Sequence, residues 1–446
     1  MTTSSISQIA DISHPIRLNP FQQWKYFTDP RATYHWFCDR YKDLAPLHFQ
    51  GQDFILLLTP RAVREVFTAD PNGYIAFWKD SFAGMNGEGS LWVLEGEKHY
   101  RERQLFAPAV HANYFRAYGE TIREITHQHI EKWRAGESIR AVDTTLSISL
   151  DVIMRLVFGV VDEDLMKEGR TVISGLTRTA HPLIVFYPKL QRSWFPLWRR
   201  YTYAKKNLYA WFDRVMTLRR TEDAGGDVLG VLMTARDEGG NLFGDEHIKN
   251  ELLSVLTAGH VTTAVALAWS LYELARNPHV MKKLRLELEN FDDKNDPALL
   301  LTLPYLSAVC NETIRLHPIL AECARVLTAP MEICGQTAHS GQAFVISIVG
   351  IHHNPVIYAE PDQFNPERFI ERKYNIFEFL PFGGGHRRCL GSGLAEYTLR
   401  IALAEMVKHW DFESAGVDYD IRHDLAMGPK YGVPLRIQRK RNQTEN

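Results

Sequence analysis

A single thiol set among glycines and arginines constrains this chain more than any other feature. Residues 382–391 read Phe382, Gly383, Gly384, Gly385, His386, Arg387, Arg388, Cys389, Leu390 and Gly391. An apolar seam at helical spacing follows, through Leu394, Ala395, Leu399, Ala402, Leu403 and Met406. The glycines permit a tight loop with positive φ and close backbone approach. Arg387, Arg388 and the start of the following helix place positive potential beside Cys389, which favours thiolate over thiol and prepares a metal ligand. Zinc is a poor fit, because its sites want four ligands and the other four cysteines are scattered without close pairing.

A haem iron needs only one proximal protein ligand, and a thiolate there pushes electron density that favours O–O cleavage. The spacing Phe382, Gly385, Arg387, Cys389, Gly391 resembles the haem-binding signature of the cytochrome P-450 monooxygenases. The resemblance runs from about Trp92 to Leu435 with its motifs in the family order. It implies a mainly α fold with a small β region, with haem b between a long distal helix and the loop and helix that carry Cys389.

Length and composition agree with one large unit. The 446 residues contain no low-complexity linker or composition break, so a single catalytic domain spanning 1–446 is expected, with no fused reductase. Hydrophobic residues at 45% and charged residues at 23% suit a soluble protein with a sizeable core. The 51 basic and 53 acidic side chains leave a net charge of −2, which excludes a global field for nucleic acid or an anionic membrane. Five cysteines at irregular spacing fit a reducing compartment, and the chain is read as cytoplasmic. Residues 1–20 are polar and hold neither a signal-peptide core nor the ~20 apolar residues of a membrane span, so no transmembrane anchor is expected.

In chain order, the patterns predict an amphipathic helix over 24–41, a β-hairpin over 46–59, and a short helix opened by Pro60. Residues 74–94 read as a long aromatic loop and 114–158 as core helices. The aromatic- and cation-rich stretch 179–216 reads as helices packed on the core, some of which the family position makes a mobile lid. Gly225, Gly226 and residues 237–245 read as loops around a short helix. A long apolar helix is predicted from Glu251 to Asn277, a helix ended by Pro318, a strand over 343–351, and a turn over 428–435.

Several motifs gain roles from the resemblance. On a helix, His99 and Arg103 lie one turn apart and can donate to one anion. The resemblance makes them, with Trp92, Arg325 and His386 or Arg387, the ligands of the haem propionates. Gly259 in mid-helix costs about 1 kcal/mol relative to Ala, so something should compensate. The family reading is that Ala258 and Gly259 let oxygen approach and that the Thr262 hydroxyl hydrogen-bonds dioxygen and relays protons. Val261 departs from the pattern, which has Asp or Glu there; His260 is expected to face away from the iron. Glu312, Arg315 and Arg368 are expected to form a buried triad behind the cysteine loop. Phe77, Phe82, Ile319, Leu320, Ala321 and Tyr431 are expected to line the substrate pocket.

The implied reaction inserts one oxygen atom of dioxygen into an apolar small molecule such as a fatty acid, terpene or steroid. No flavin or nicotinamide fingerprint is present, so electrons are expected from a separate ferredoxin or flavodoxin with its reductase, landing near Lys98, Arg101, Arg387 and Arg388. Val261 keeps open a haem-thiolate peroxygenase, isomerase or dehydratase that needs no electron donor. A haem-binding protein without turnover is the alternative from a different class.

Overall fold

Prolines start the early helices, since a residue with φ fixed near −65° and no N–H costs nothing in a first turn. The helices Pro20–Thr28, Pro30–Cys38 and Pro60–Phe67 all begin this way. The side chains of Asn19, Asp29 and Thr59 accept from the third amide of each. Asp29 closes the first helix and caps the second, so the one helix expected over 24–41 is two: Pro30 has no N–H with which to continue it.

These statements come from a computed structural model that describes residues 11–49, 51–106, 112–221, 227–236, 239–291, 296–416, 421–423 and 426–441. The polar start at 1–10, the loop at Gly225 and Gly226, and two positions of the 237–245 loop lie outside the described residues.

The described residues of 1–78, 311–389 and 425–427 form one compact unit, and those of 79–310, 390–424 and 428–446 form another. The first unit is built on a six-stranded sheet. The expected hairpin pairs Leu44–Phe49 with Gln52–Leu57, turning at Gly51 with φ of 80°. Gln52–Leu57 runs parallel to Ala343–Ser347, which lies antiparallel to Glu322–Leu327, and Tyr74–Ala76 closes that edge. Alternate residues serve opposite faces. Ile55, Leu57, Phe344 and Ile346 join one apolar cluster, and Leu47, Leu56 and Val345 join another with Tyr34 and Phe37.

Burial on both faces explains a correction. Every residue of Ala343–Ser347 is buried, so the stretch is a central apolar run; it ends at Ser347, whose hydroxyl accepts from the Gly350 amide and opens the helix Ile348–His352. The predicted strand over 343–351 is therefore half strand and half helix. The predicted loop over 74–94 is likewise a short strand, Tyr74–Ala76, and a helix, Lys79–Asn86, too brief to show a period.

The second unit is helical around Asp245–Arg276, a 32-residue helix that starts before the expected Glu251 because Asp245 and Glu246 suit a helix N-terminus. It ends, as expected, before Asn277 and Pro278. Among the described residues it is the one helix long and apolar enough to cross a membrane, and 61% of its apolar window is buried inside the protein. The helices Ala141–Leu156, Glu163–Thr177 and Pro196–Arg219 pack with it around Met154, Phe158, Trp211, Phe212, Leu252 and Leu253. A three-stranded sheet of Trp410–Ser414, Pro434–Lys440 and Ser138–Arg140 completes the unit.

Candidate functional site: the cysteine loop and its supports

In the first unit, the loop before Cys389 is moulded to the end of the Pro60–Phe67 helix. A Cβ on Gly384 would fall 2.2 Å from the Phe67 ring, and one on Gly385, whose φ is 66°, would fall 2.9 Å from the Phe67 carbonyl. Only glycine fits both positions. The Gly383 amide donates to the Leu380 carbonyl at 3.0 Å and the Cys389 amide to the Phe382 carbonyl at 2.9 Å, closing the loop on itself. Cys389 is the one exposed cysteine of the five. Burial pushes the thiols of Cys38 and Cys310 up to about 12, which leaves them poor ligands.

Behind this loop the Glu312, Arg315 and Arg368 cluster is assembled as expected. Arg315 donates to Glu312 through Nε at 2.6 Å and Nη2 at 2.8 Å, and Arg368 donates through Nε at 3.1 Å. All three are buried. The arginines also serve backbone carbonyls: Arg315 Nη1 reaches those of His352 and Pro361, and Arg368 Nη1 that of Ala359. His352 extends the chain of contacts, because its Nε2 accepts from the Leu380 amide at 3.0 Å. Burial and the neighbouring Arg315 hold His352 down at about 3, so it is the neutral imidazole that an acceptor Nε2 requires. The brace thus runs from Glu312 through Arg315 and His352 to the first residue of the loop. Sequence reasoning missed His352, since its partner is a backbone amide that leaves no mark in the spacing.

Three of the predicted propionate ligands gather in the same unit around Tyr74. Its hydroxyl lies 3.2 Å from His386 Nδ1, and Arg325 and Arg387 both act on its phenol against the effect of burial. The pairing of Tyr74–Ala76 with Glu322–Leu327 brings Ala76 opposite Arg325, which is itself buried. Phe77 packs against Phe54 and Trp78, and the carbonyls of Ile319 and Ala321 accept from Met427 and Val349. Leu320 is exposed.

The second unit holds the remaining predicted residues. His99 is buried and Arg103 half-buried on the helix Gly96–Phe106. Trp92 stands in the turn before that helix and not on it, with its ring 4.2 Å from that of Phe82. On the long helix the Thr262 hydroxyl donates to the Ala258 carbonyl at 2.6 Å. A Cβ on Gly259 would lie 3.2 Å from Ile153 Cδ1, so the neighbouring helix comes close at this glycine. His260 is buried with Asp151 as its charged neighbour, and its carbonyl accepts from Ser149 on that same helix. Burial holds its imidazole down at about 4. Tyr431 is exposed at a turn, under Lys430.

The donor set fits haem: one accessible soft thiol on a glycine-rich loop, with arginine and histidine clusters suited to carboxylates. A family model described as cytochrome P-450 matches residues 12–432. The chain belongs to the cytochrome P-450 family. Among curated P-450 relatives it is 31% identical to cytochrome P-450 135A1 of Mycobacterium tuberculosis over 87% of this chain and 86% of that protein. It is 30% identical to cytochrome P-450 135B1 of Mycobacterium bovis over 90% and 86%. Among solved structures, retinoic-acid-bound cyanobacterial CYP120A1 matches with a TM-score of 0.80 at 22% identity, over 93% of this chain and 96% of that one. The cytochrome P-450DA heme domain matches at 0.78 and 21%, over 95% and 96%; both likenesses concern the fold. This P-450 is therefore a mainly helical haem-b monooxygenase whose family takes dioxygen, electrons from a redox partner, and a cysteine ligand to iron.

Proposed function

We propose that Cys389 is the ligand to haem iron and that the P-450 span acts as one catalytic domain that hydroxylates or epoxidises an apolar small molecule. The observation that carries this is the exposed Cys389 thiol at the end of a loop closed on itself and braced by a buried ion cluster. Bound haem supplies the activation of dioxygen, one atom entering the C–H or C=C bond and the other leaving as water with two electrons and two protons. His99 and Arg103 with Trp92 in the second unit, and Arg325 with His386 or Arg387 in the first, are the residues assigned to its carboxylates. The Thr262 hydroxyl, whose proton goes to the Ala258 carbonyl, keeps its oxygen lone pairs to accept from and orient a water that delivers protons. His260 contributes none near neutral pH, because burial keeps it unprotonated.

Phe77, Ile319, Leu320 and Ala321 of the first unit, and Phe82 and Tyr431 of the second, are the side chains assigned to a fatty acid, terpene or steroid-like substrate. Electrons come from a ferredoxin or flavodoxin in the cytoplasm, a reducing compartment that suits five cysteines at irregular spacing. Exposed Lys98 and Arg388 are candidate contacts for such an acidic donor. Val261 favours a second reading, turnover with a peroxide and no electron donor.

The deciding experiment is the carbon monoxide difference spectrum of the reduced protein. A strongly red-shifted Soret band that disappears in Cys389→Ser is expected. Its absence from haem-loaded wild type, or its survival in the variant, removes Cys389 from the iron. Turnover with dioxygen and a reductase, against peroxide alone, separates the two reactions.

A further inference from the structure

Outside the cysteine loop, two trios of ligating side chains stand close together in the second unit, and their charges distinguish them. In one, Glu405 lies 2.7 Å from His127 Nε2, 3.3 Å from His409 Nε2 and 3.3 Å from Arg123 Nε. One carboxylate among three cationic or donor groups is balanced, and the histidines hold the Glu405 carboxyl down to about 2.

The other trio is short of positive charge. His247 and Glu251 lie one turn apart on the long helix, and Glu102 comes from the Gly96–Phe106 helix. His247 Nε2 is 2.8 Å from Glu102 Oε1, and one ligand atom of each residue lies within 4.8 Å of the other two. Glu251 is fully buried; its Oε1 accepts from the Leu91 amide at 2.7 Å, whereas its buried Oε2 has no hydrogen-bond partner among the described residues. One imidazole and two buried carboxyl groups, of which one oxygen has no donor among the described residues, are arranged as metal ligands are.

We propose that Glu102, His247 and Glu251 form a binding site for a divalent transition metal of the zinc class, separate from the haem centre. Zinc bonds of about 2.0–2.2 Å to nitrogen and oxygen set ligands about 3.3–3.6 Å apart, within reach of these side chains by small rotations. The partly exposed edge of His247 leaves a fourth position to water. Calcium wants six to eight oxygens, and three ligands that include a nitrogen do not supply them. The His247 ring is held by stacking on Phe243 at 4.4 Å, and Oε1 of Glu251 by the Leu91 amide, as outer partners fix ligands elsewhere. Bound metal would tie the segment that carries Leu91 and Trp92 to two helices, one of them the bearer of His99 and Arg103.

The test uses the haem-loaded protein, stripped with a chelator and dialysed against zinc. One zinc per chain, counted by mass spectrometry, is expected in wild type and in His127→Ala, with loss in Glu251→Gln and in Glu102→Gln. Zinc should raise the Tm of wild type by about 3 °C or more over chelator, and this rise should vanish in Glu251→Gln. Should Glu251→Gln fail to keep its haem, His247→Ala at the part-exposed position gives the same reading. Zinc retained in these variants, zinc lost only in His127→Ala, or a wild type that binds no zinc and melts alike in both buffers overturns the site.

Discussion

His352 shows how a single buried side chain links the ion cluster to the cysteine loop, and its titration offers a direct check. Folded, it stays neutral down to about pH 3, while in the unfolded chain it takes a proton below about 6.5. Its contribution to stability is therefore complete above pH 6.5 and drains away as the pH falls towards 3, by up to about 1.4 kcal/mol per pH unit. Asparagine can still accept from Leu380 through its amide oxygen but does not titrate. Urea unfolding of His352→Asn between pH 6.5 and 4.5 should show a shallower loss of stability than wild type, and parallel curves would exclude the neutral-acceptor role. The other titrating groups cancel in that comparison. At this scale Cys389 and the Glu312, Arg315, Arg368 set were legible, because each stands in an ordered motif. His352 and the metal trio were not: a bond to a backbone amide and a meeting of residues 102 and 247 leave no local pattern.

Between elements, the approach of the long helix to Ala141–Leu156 rests on Gly259. Gly259→Ala gains up to about 1 kcal/mol of helix propensity, but its Cβ would press on Ile153 Cδ1. Ile153→Val removes that methyl group and alone costs about 0.5–1.5 kcal/mol. The double variant should cost less than the sum of the two by about 0.5–1 kcal/mol in denaturant unfolding, and strict additivity would show that the two sites do not touch. Helices with strong periods were readable from sequence, as were the prolines that begin or end them. The elements misread were short or central. Tyr74–Ala76 has too few residues for a period, Ala343–Ser347 is buried on both faces and so does not alternate, and Pro30 splits one amphipathic pattern into two helices.

On the scale of the whole molecule, substitution at Glu312 should be strongly destabilising. Glu312→Gln leaves two buried guanidinium groups without their carboxylate, at a cost of about 3–5 kcal/mol, read as a fall in the urea midpoint with no change of slope. Electron delivery should respond differently. With an acidic donor, reduction of Lys98→Glu or Arg388→Glu should slow and lose much of its salt dependence, while their unfolding curves stay where wild type lies.

Both units are assembled from segments far apart along the chain, and this dictates when they can form during synthesis. Gln52–Leu57 must wait for Ala343–Ser347, and Ser138–Arg140 for Pro434–Lys440. At roughly 5–20 residues per second, about 15–60 s separate each strand from its partner at the ribosome. For that interval a nascent hairpin and an unpaired strand present open edges to solvent, so the yield of this enzyme should depend on chaperone supply and translation speed more steeply than its final stability would suggest.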